Sequence, residues 1–172
     1  MSLSRYPGAQ PFEQSHRTVF FGRGEALDKL RRQVKLAPLT VLHGKSGTGK
    51  SSILNAGLLP LVDEEGHYDA VRIRFNAWLP EGAHASPTAR TRASVAALGQ
   101  GDTFLGKLLS EDESLWRKAK DQLIRRNGER GLLLIFDQFE ELFTYPAEDI
   151  LAFRRELAEA LQPAAPQRYW DV

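Results

Sequence analysis

The sequence predicts a three-layer α/β sandwich around a mainly parallel sheet. Two apolar, strand-like runs carry that expectation, 39–43 leading into a glycine-rich loop and 132–136 ending on Asp137. Helix-periodic stretches separate and follow them, as right-handed crossovers over both sheet faces require.

The chain is read as an extended N-terminal lead, 1–18, followed by one core, 19–172. In the lead, Tyr6-Pro7-Gly8 and Pro11-Phe12 argue against helix and for an extended course over the domain surface. Thr18 to Phe21 is a short apolar run closed by Gly22-Arg23-Gly24. Phe21, Gly22 and Arg23 read either as a lead-in turn or as the wall of a nucleotide-base pocket. Glu25 to Leu36 reads as an amphipathic helix, with Leu27, Leu30, Val34 and Leu36 as its apolar stripe. Pro38 ends it.

Leu39 to His43 then reads as a buried strand. Gly44-Lys45-Ser46-Gly47-Thr48-Gly49-Lys50-Ser51 fits G-x-x-x-x-G-K-[ST], the phosphate-binding P-loop, and Ser51 to Leu59 is helix-compatible. The chemistry explains the residue types. Glycines let the backbone approach a polyphosphate without a Cβ in the way. The N–H groups of the loop and of the helix N-terminus, through Lys45, Ser46, Thr48 and Ser52, converge on it. The Lys50 ammonium is expected at the β and γ phosphates, and the Ser51 hydroxyl on Mg²⁺. A glycine- and serine-rich turn matching by chance is the competing account.

Gly57-Leu58-Leu59-Pro60 is expected to break the helix, and Gly66-His67 to turn the chain. Asp69 to Asn76 reads as a strand, Val71, Ile73 and Phe75 alternating with Arg72 and Arg74. Residues 79–88 read as a loop and 90–98 as a weak helix. Asp102 is expected to cap a short helix to Leu109. Ser110 to Arg126 reads as a stronger helix, with Leu115, Trp116, Ala119, Leu123 and Ile124 inward, stopped by Asn127-Gly128.

The run 132–136 has no polar residue, so burial on both faces is expected. Asp137 at its C-terminal end occupies the position where open α/β sheets bind ligands, and is assigned to the Mg²⁺ shell as in a Walker B segment. A strand-end aspartate capping a turn is the alternative. Glu140 and Glu141, three and four residues on, would project near Asp137 if the segment is helical, and one could polarise the attacking water as general base. Ordinary surface charge is the alternative there. Asp149 to Leu161 reads as an amphipathic helix, with Ile150, Phe153, Leu157 and Leu161 inward. Arg168 to Val172 reads as the opening of a further strand, so the domain is expected to be truncated at its C-terminus.

The bulk numbers exclude several classes. At 172 residues the chain has the length of one domain. A net charge of +1 gives no field pointing to nucleic acid or membrane. The absence of cysteine excludes disulfides, thiolate-bound zinc and thiol catalysis, and fits a cytoplasmic protein. No run approaches a membrane span.

With Tyr6 to Phe12, Phe20 to Arg23, Gly44 to Ser51, Gly57 to Pro60 and Asp137-Gln138-Phe139-Glu140-Glu141-Leu142-Phe143-Thr144 in view, the chain resembles the STAND class of P-loop NTPases, most closely the bacterial novel STAND branch. The resemblance implies the ATPase core of a multidomain signalling switch, with C-terminal sensor or repeat domains. It implies ATP and ADP as ligands, Mg²⁺ as cofactor, ATP-dependent homo-oligomerisation, and sensor and lid elements beyond Val172. A motor or remodelling ATPase on nucleic acid or protein, and a nucleotide-gated scaffold without useful hydrolysis, share the same core and stand as alternatives.

Overall fold

A computed structural model describes residues 11–82, 85–99 and 103–170. The chain divides into two compact units, Met1–Gly66 and His67–Val172. Tyr6 to Gln10, Asp102, Asp171 and Val172 lie outside the described residues, and with them part of the expected lead, one expected cap and the end of the expected last strand.

In the first unit, residues 14–19 form a 3-10 helix, Gln14–Val19, where an extended lead was expected. The local reason is a reciprocal cap. The Glu13 N–H donates to His16 Nδ1 at 3.0 Å and the His16 N–H to the Glu13 carbonyl at 2.8 Å. α1 spans Gly24–Leu36 and buries Leu30, whereas Leu36 is exposed.

The helix that follows the glycine-rich loop runs as three contiguous segments: α2 (Lys50–Ser52), a π-helical stretch (Ile53–Leu58) and α3 (Leu59–Glu65). The break expected at Gly57 to Pro60 does not occur. The wide π turn comes just before Pro60, which sits in the first turn of α3, where a missing N–H costs little. The whole π stretch is buried. Gly57 permits the close passage of α1, since a Cβ there would stand 3.1 Å from Leu27. Arg31 and Lys35 of α1 pair with Glu65 of α3, and Arg17 with Glu64. Gly66 closes the helix in the left-handed conformation, φ +66°.

Residues 39–43, expected to be a strand, join no sheet among the described residues. Leu39 and Val41 are each 73% exposed. A strand is defined by its hydrogen-bonded neighbour, and the described residues of the first unit include no strand to serve as one.

In the second unit, β1 (Tyr68–Arg74) and β2 (Gly131–Asp137) pair in parallel, from Tyr68 opposite Gly131 to Arg74 opposite Asp137. Between them come α4 (Pro87–Ala96), α5 (Phe104–Leu108) and α6 (Leu115–Arg125), and after them α7 (Ala147–Ala160). Ser86, Thr103 and Ser114 cap α4, α5 and α6, each accepting a main-chain N–H three residues on. The cap of α5 is thus Thr103. Ser110 to Ser114 is not helical; Asp112 ties the Ser114 N–H at 2.7 Å instead. Asn127 and Gly128 both adopt positive φ and stop α6 as expected.

One face of the sheet carries the core. Ile73, Phe75, Leu142 and Phe153 are buried together, with Val71, Leu134, Phe136, Ile150 and Leu157 packed against them. Phe75 stacks on Phe136 at 5.7 Å and meets Phe153 edge-on at 5.5 Å. Of the β2 run, Ile135 and Asp137 are buried and the other residues are half-buried, short of the burial on both faces that was expected. Ile124 and Leu161 are exposed, contrary to the helical stripes expected of them; on α6 the polar Asp121 and Gln122 are buried instead. Asp121 is held there by Thr103 Oγ1 and by Arg125. Residues 167–169 form a 3-10 turn, Gln167–Tyr169, not a strand. Tyr169 packs on Trp116 at 5.3 Å between ring centroids.

Candidate functional site

The glycine-rich loop of the first unit is exposed from Gly44 to Thr48. Gly47 at φ +79° and Gly49 at φ +84° hold left-handed backbone that any Cβ would strain. Gly49 is the N-cap of α2, and its carbonyl accepts the Ile53 N–H at 2.9 Å. The loop is closed by Thr48, whose Oγ1 donates to the Lys45 carbonyl at 2.8 Å.

The Lys50 ammonium is folded back over the loop. Its Nζ donates to the carbonyls of Gly44 at 2.8 Å and Lys45 at 3.1 Å. A cation is therefore held at the rim of a glycine-rich loop by two neutral carbonyls, contacts it can exchange for an anionic oxygen at a gain. The Arg23 Nη2 donates to the Thr48 carbonyl at 2.9 Å, so the structure brings Arg23 to the loop. Phe21 is exposed and Gly22 takes φ +79°. Ser52 turns away from the loop's open side: it is buried, and its Oγ accepts the Phe12 N–H at 3.1 Å. The lead is thereby tied to the helix that follows the loop, and the Glu13 carboxylate accepts from Asn55 at 3.4 Å.

The acidic corner of the second unit lies at the C-terminal end of β2. Asp137 is 6% exposed. Its Oδ2 accepts from Arg72 Nη2 at 2.6 Å and Nε at 3.2 Å, and its Oδ1 from the Gln138 N–H at 3.1 Å. Gln138 takes left-handed backbone, φ +55°, a conformation sparsely used by residues other than glycine and aimed here by the turn out of the strand. Phe139–Thr144 then forms a 3-10 helix in place of an α-helix. Glu140 is exposed and Glu141 half-buried, with the Glu141 N–H donating to the Gln138 carbonyl at 3.0 Å.

Sequence reasoning missed Arg72 and Arg74. Arg74 pairs with Gln138 Oε1, beside the Arg72–Asp137 pair. The signal was present. In a parallel sheet, a charged residue facing away from the core near the C-terminal ends of the strands lies at the ligand edge. The alternation 71–75 put both arginines on that face.

The donor chemistry fits the groups an NTPase uses. A serine hydroxyl and a carboxylate are hard oxygen ligands suited to Mg²⁺. Two left-handed glycines, exposed main chain and an ammonium suit a polyphosphate. Among the described residues, no cluster of three or more His, Asp or Glu side chains could hold a metal ion. No helix among them is long and apolar enough to cross a membrane.

Comparison with curated proteins and with solved structures returned no match. A family model described as Novel STAND NTPase 1 matches residues 6–170. That match spans the segments on which the resemblance rested, 6–12, 20–23, 44–51, 57–60 and 137–144, and the chain belongs to the novel STAND NTPase 1 family.

Proposed function

We propose that this chain is the ATP-binding and ATP-hydrolysing core of a multidomain signalling switch. Gly44 to Ser51 would hold the polyphosphate, with Ser51 and Asp137 as the Mg²⁺ ligands. The observation that carries the reading is the conformation of the loop: Gly47 and Gly49 left-handed, and the Lys50 ammonium resting on the Gly44 and Lys45 carbonyls. Family membership supports the nucleotide-binding class.

In this reading Lys50 leaves those carbonyls for phosphate oxygens, neutralising charge that grows on the leaving group. The bound Mg²⁺ supplies further charge neutralisation at the phosphates. Arg23 steadies the loop through Thr48, and Phe21 and Gly22 flank it as candidates for the base pocket. Glu140 or Glu141 takes the proton of the attacking water. A three-layer P-loop architecture for the whole domain goes with this proposal, as do ATP-dependent self-association and control by further domains of the full protein.

The test is nucleotide affinity. Lys50→Ala should weaken Mg·ATP binding by about tenfold or more, the worth of a charge-assisted contact. Unchanged affinity in a folded variant would remove the assignment.

A further inference from the structure

Residues paired across a parallel ladder share a face of the sheet. Arg74 lies opposite Asp137, and Arg72 opposite Ile135. Yet Arg72 is the residue that takes the carboxylate, reaching forward along the strand until both Nη2 and Nε converge on Oδ2. Arg74, directly opposite, goes to Gln138. The remaining oxygen, Oδ1, accepts a main-chain N–H. A carboxylate this buried needs a counter-charge, and here an arginine supplies it.

We propose that Arg72 is a built-in competitor for the divalent cation at Asp137, and so sets the metal requirement of the site. The proposal rests on the reading of Asp137 as a metal ligand. A guanidinium and a divalent ion cannot both sit on Oδ2, because like charges at that range repel strongly in a partly buried setting. Metal uptake is therefore an exchange of cations. The displaced guanidinium stays charged, since arginine does not deprotonate, and it needs a new anion. The phosphate oxygens of a nucleotide that arrive with the metal are such an anion. Arg72 thus disfavours metal alone and couples its uptake to polyphosphate. A purely structural ion pair, pinning two strand ends, would affect stability but not metal affinity.

Mn²⁺ binding without nucleotide separates the two. Free Mn²⁺ is measured by electron paramagnetic resonance for the wild type, Arg72→Ala, and Arg72→Ala combined with Asp137→Asn, with folding checked by circular dichroism. Arg72→Ala should bind Mn²⁺ about tenfold more tightly than the wild type, the gain vanishing in the double variant and shrinking when ATP is added. Unchanged or weaker Mn²⁺ affinity in folded Arg72→Ala overturns the proposal, as does a gain that survives Asp137→Asn. Should the alanine variant not fold, Arg72→Gln, of similar reach without charge, carries the same comparison. Nucleotide binding by the wild type with no metal dependence overturns the reading of Asp137 and this proposal together. Metal-dependent nucleotide binding with Mn²⁺ affinity unmoved by Arg72→Ala overturns this proposal alone.

Discussion

Arg72 of β1 donates two hydrogen bonds to a single oxygen of Asp137 on β2, at 2.6 and 3.2 Å, although the two residues are not opposite each other in the ladder. The acid expected to hold a metal is already neutralised by its own neighbouring strand. That relationship shapes what substitutions around it should do.

Asp137→Asn removes the charge that Arg72 compensates. Arg72 retains some access to water, with 23% of its side chain exposed, so the cost to stability should be modest, about 1–3 kcal/mol. Arg72→Ala should cost more, because it strands the more deeply buried partner. Urea denaturation of both variants gives the ordering, and a costlier Asp137→Asn would contradict it.

The loop should be sensitive to any Cβ at its left-handed positions. Gly49→Ala forces an L-residue into φ +84°, a strain of about 1–2 kcal/mol. Space is not the obstacle, since the nearest atom to the new Cβ would be Arg23 Nη2 at 3.6 Å. The expected result is weaker nucleotide binding with little change in Tm, because the loop can relax locally at the expense of its amide geometry. Calorimetric titration and a melting curve read the two effects separately.

Hydrolysis distinguishes a switch from a nucleotide-gated scaffold. If Glu140 or Glu141 is the general base, Glu→Gln at that position should lower kcat by about 10²–10⁴-fold while leaving nucleotide affinity within a few-fold. Singly and doubly substituted proteins with unchanged turnover would end the assignment.

Phe153 anchors α7 on the sheet, 1% exposed and edge-on to both Phe75 and Phe136. Phe153→Ala should cost about 3–5 kcal/mol. Because the sheet carrying Asp137 packs on this core, metal binding should weaken with it.

Acid should loosen the first unit. The hydrogen bond from Lys35, with help from Arg31, holds the Glu65 carboxyl below the usual carboxylate range, and Arg17 does the same for Glu64. A depressed folded-state value means stabilisation that is present at neutral pH and disappears as pH falls through that value. Glu65→Gln should flatten the acid limb of the stability curve. An acid limb of unchanged slope would show that the pairs contribute nothing measurable, as many exposed ion pairs do.

Legibility in the sequence followed the range of the interactions. Gly66, Asn127 and Gly128 act within one turn of chain, and their stop signals read correctly. The alternation at 71–75 predicted the buried face of β1 because strand periodicity is local. Pro60 misled, since the π turn that accommodates it is set by packing around Ile53–Leu58. Leu161 and Ile124 misled for the opposite reason. Helical spacing says which residues share a stripe, and not how far along the helix a partner extends.

The sequence by itself determined the chemistry: a glycine loop with an ammonium and a hydroxyl, an acid at the end of an apolar run, and the NTPase family these imply. Only the tertiary structure decided who holds whom. Arg72 reached Asp137 because two strands far apart in sequence pair in one register, Lys50 settled on carbonyls that the loop's own curvature aimed at it, and residues 39–43 stayed outside the sheet. Residue types are carried by each position alone, whereas a counter-charge or a ladder partner exists only once distant segments are brought within bonding distance.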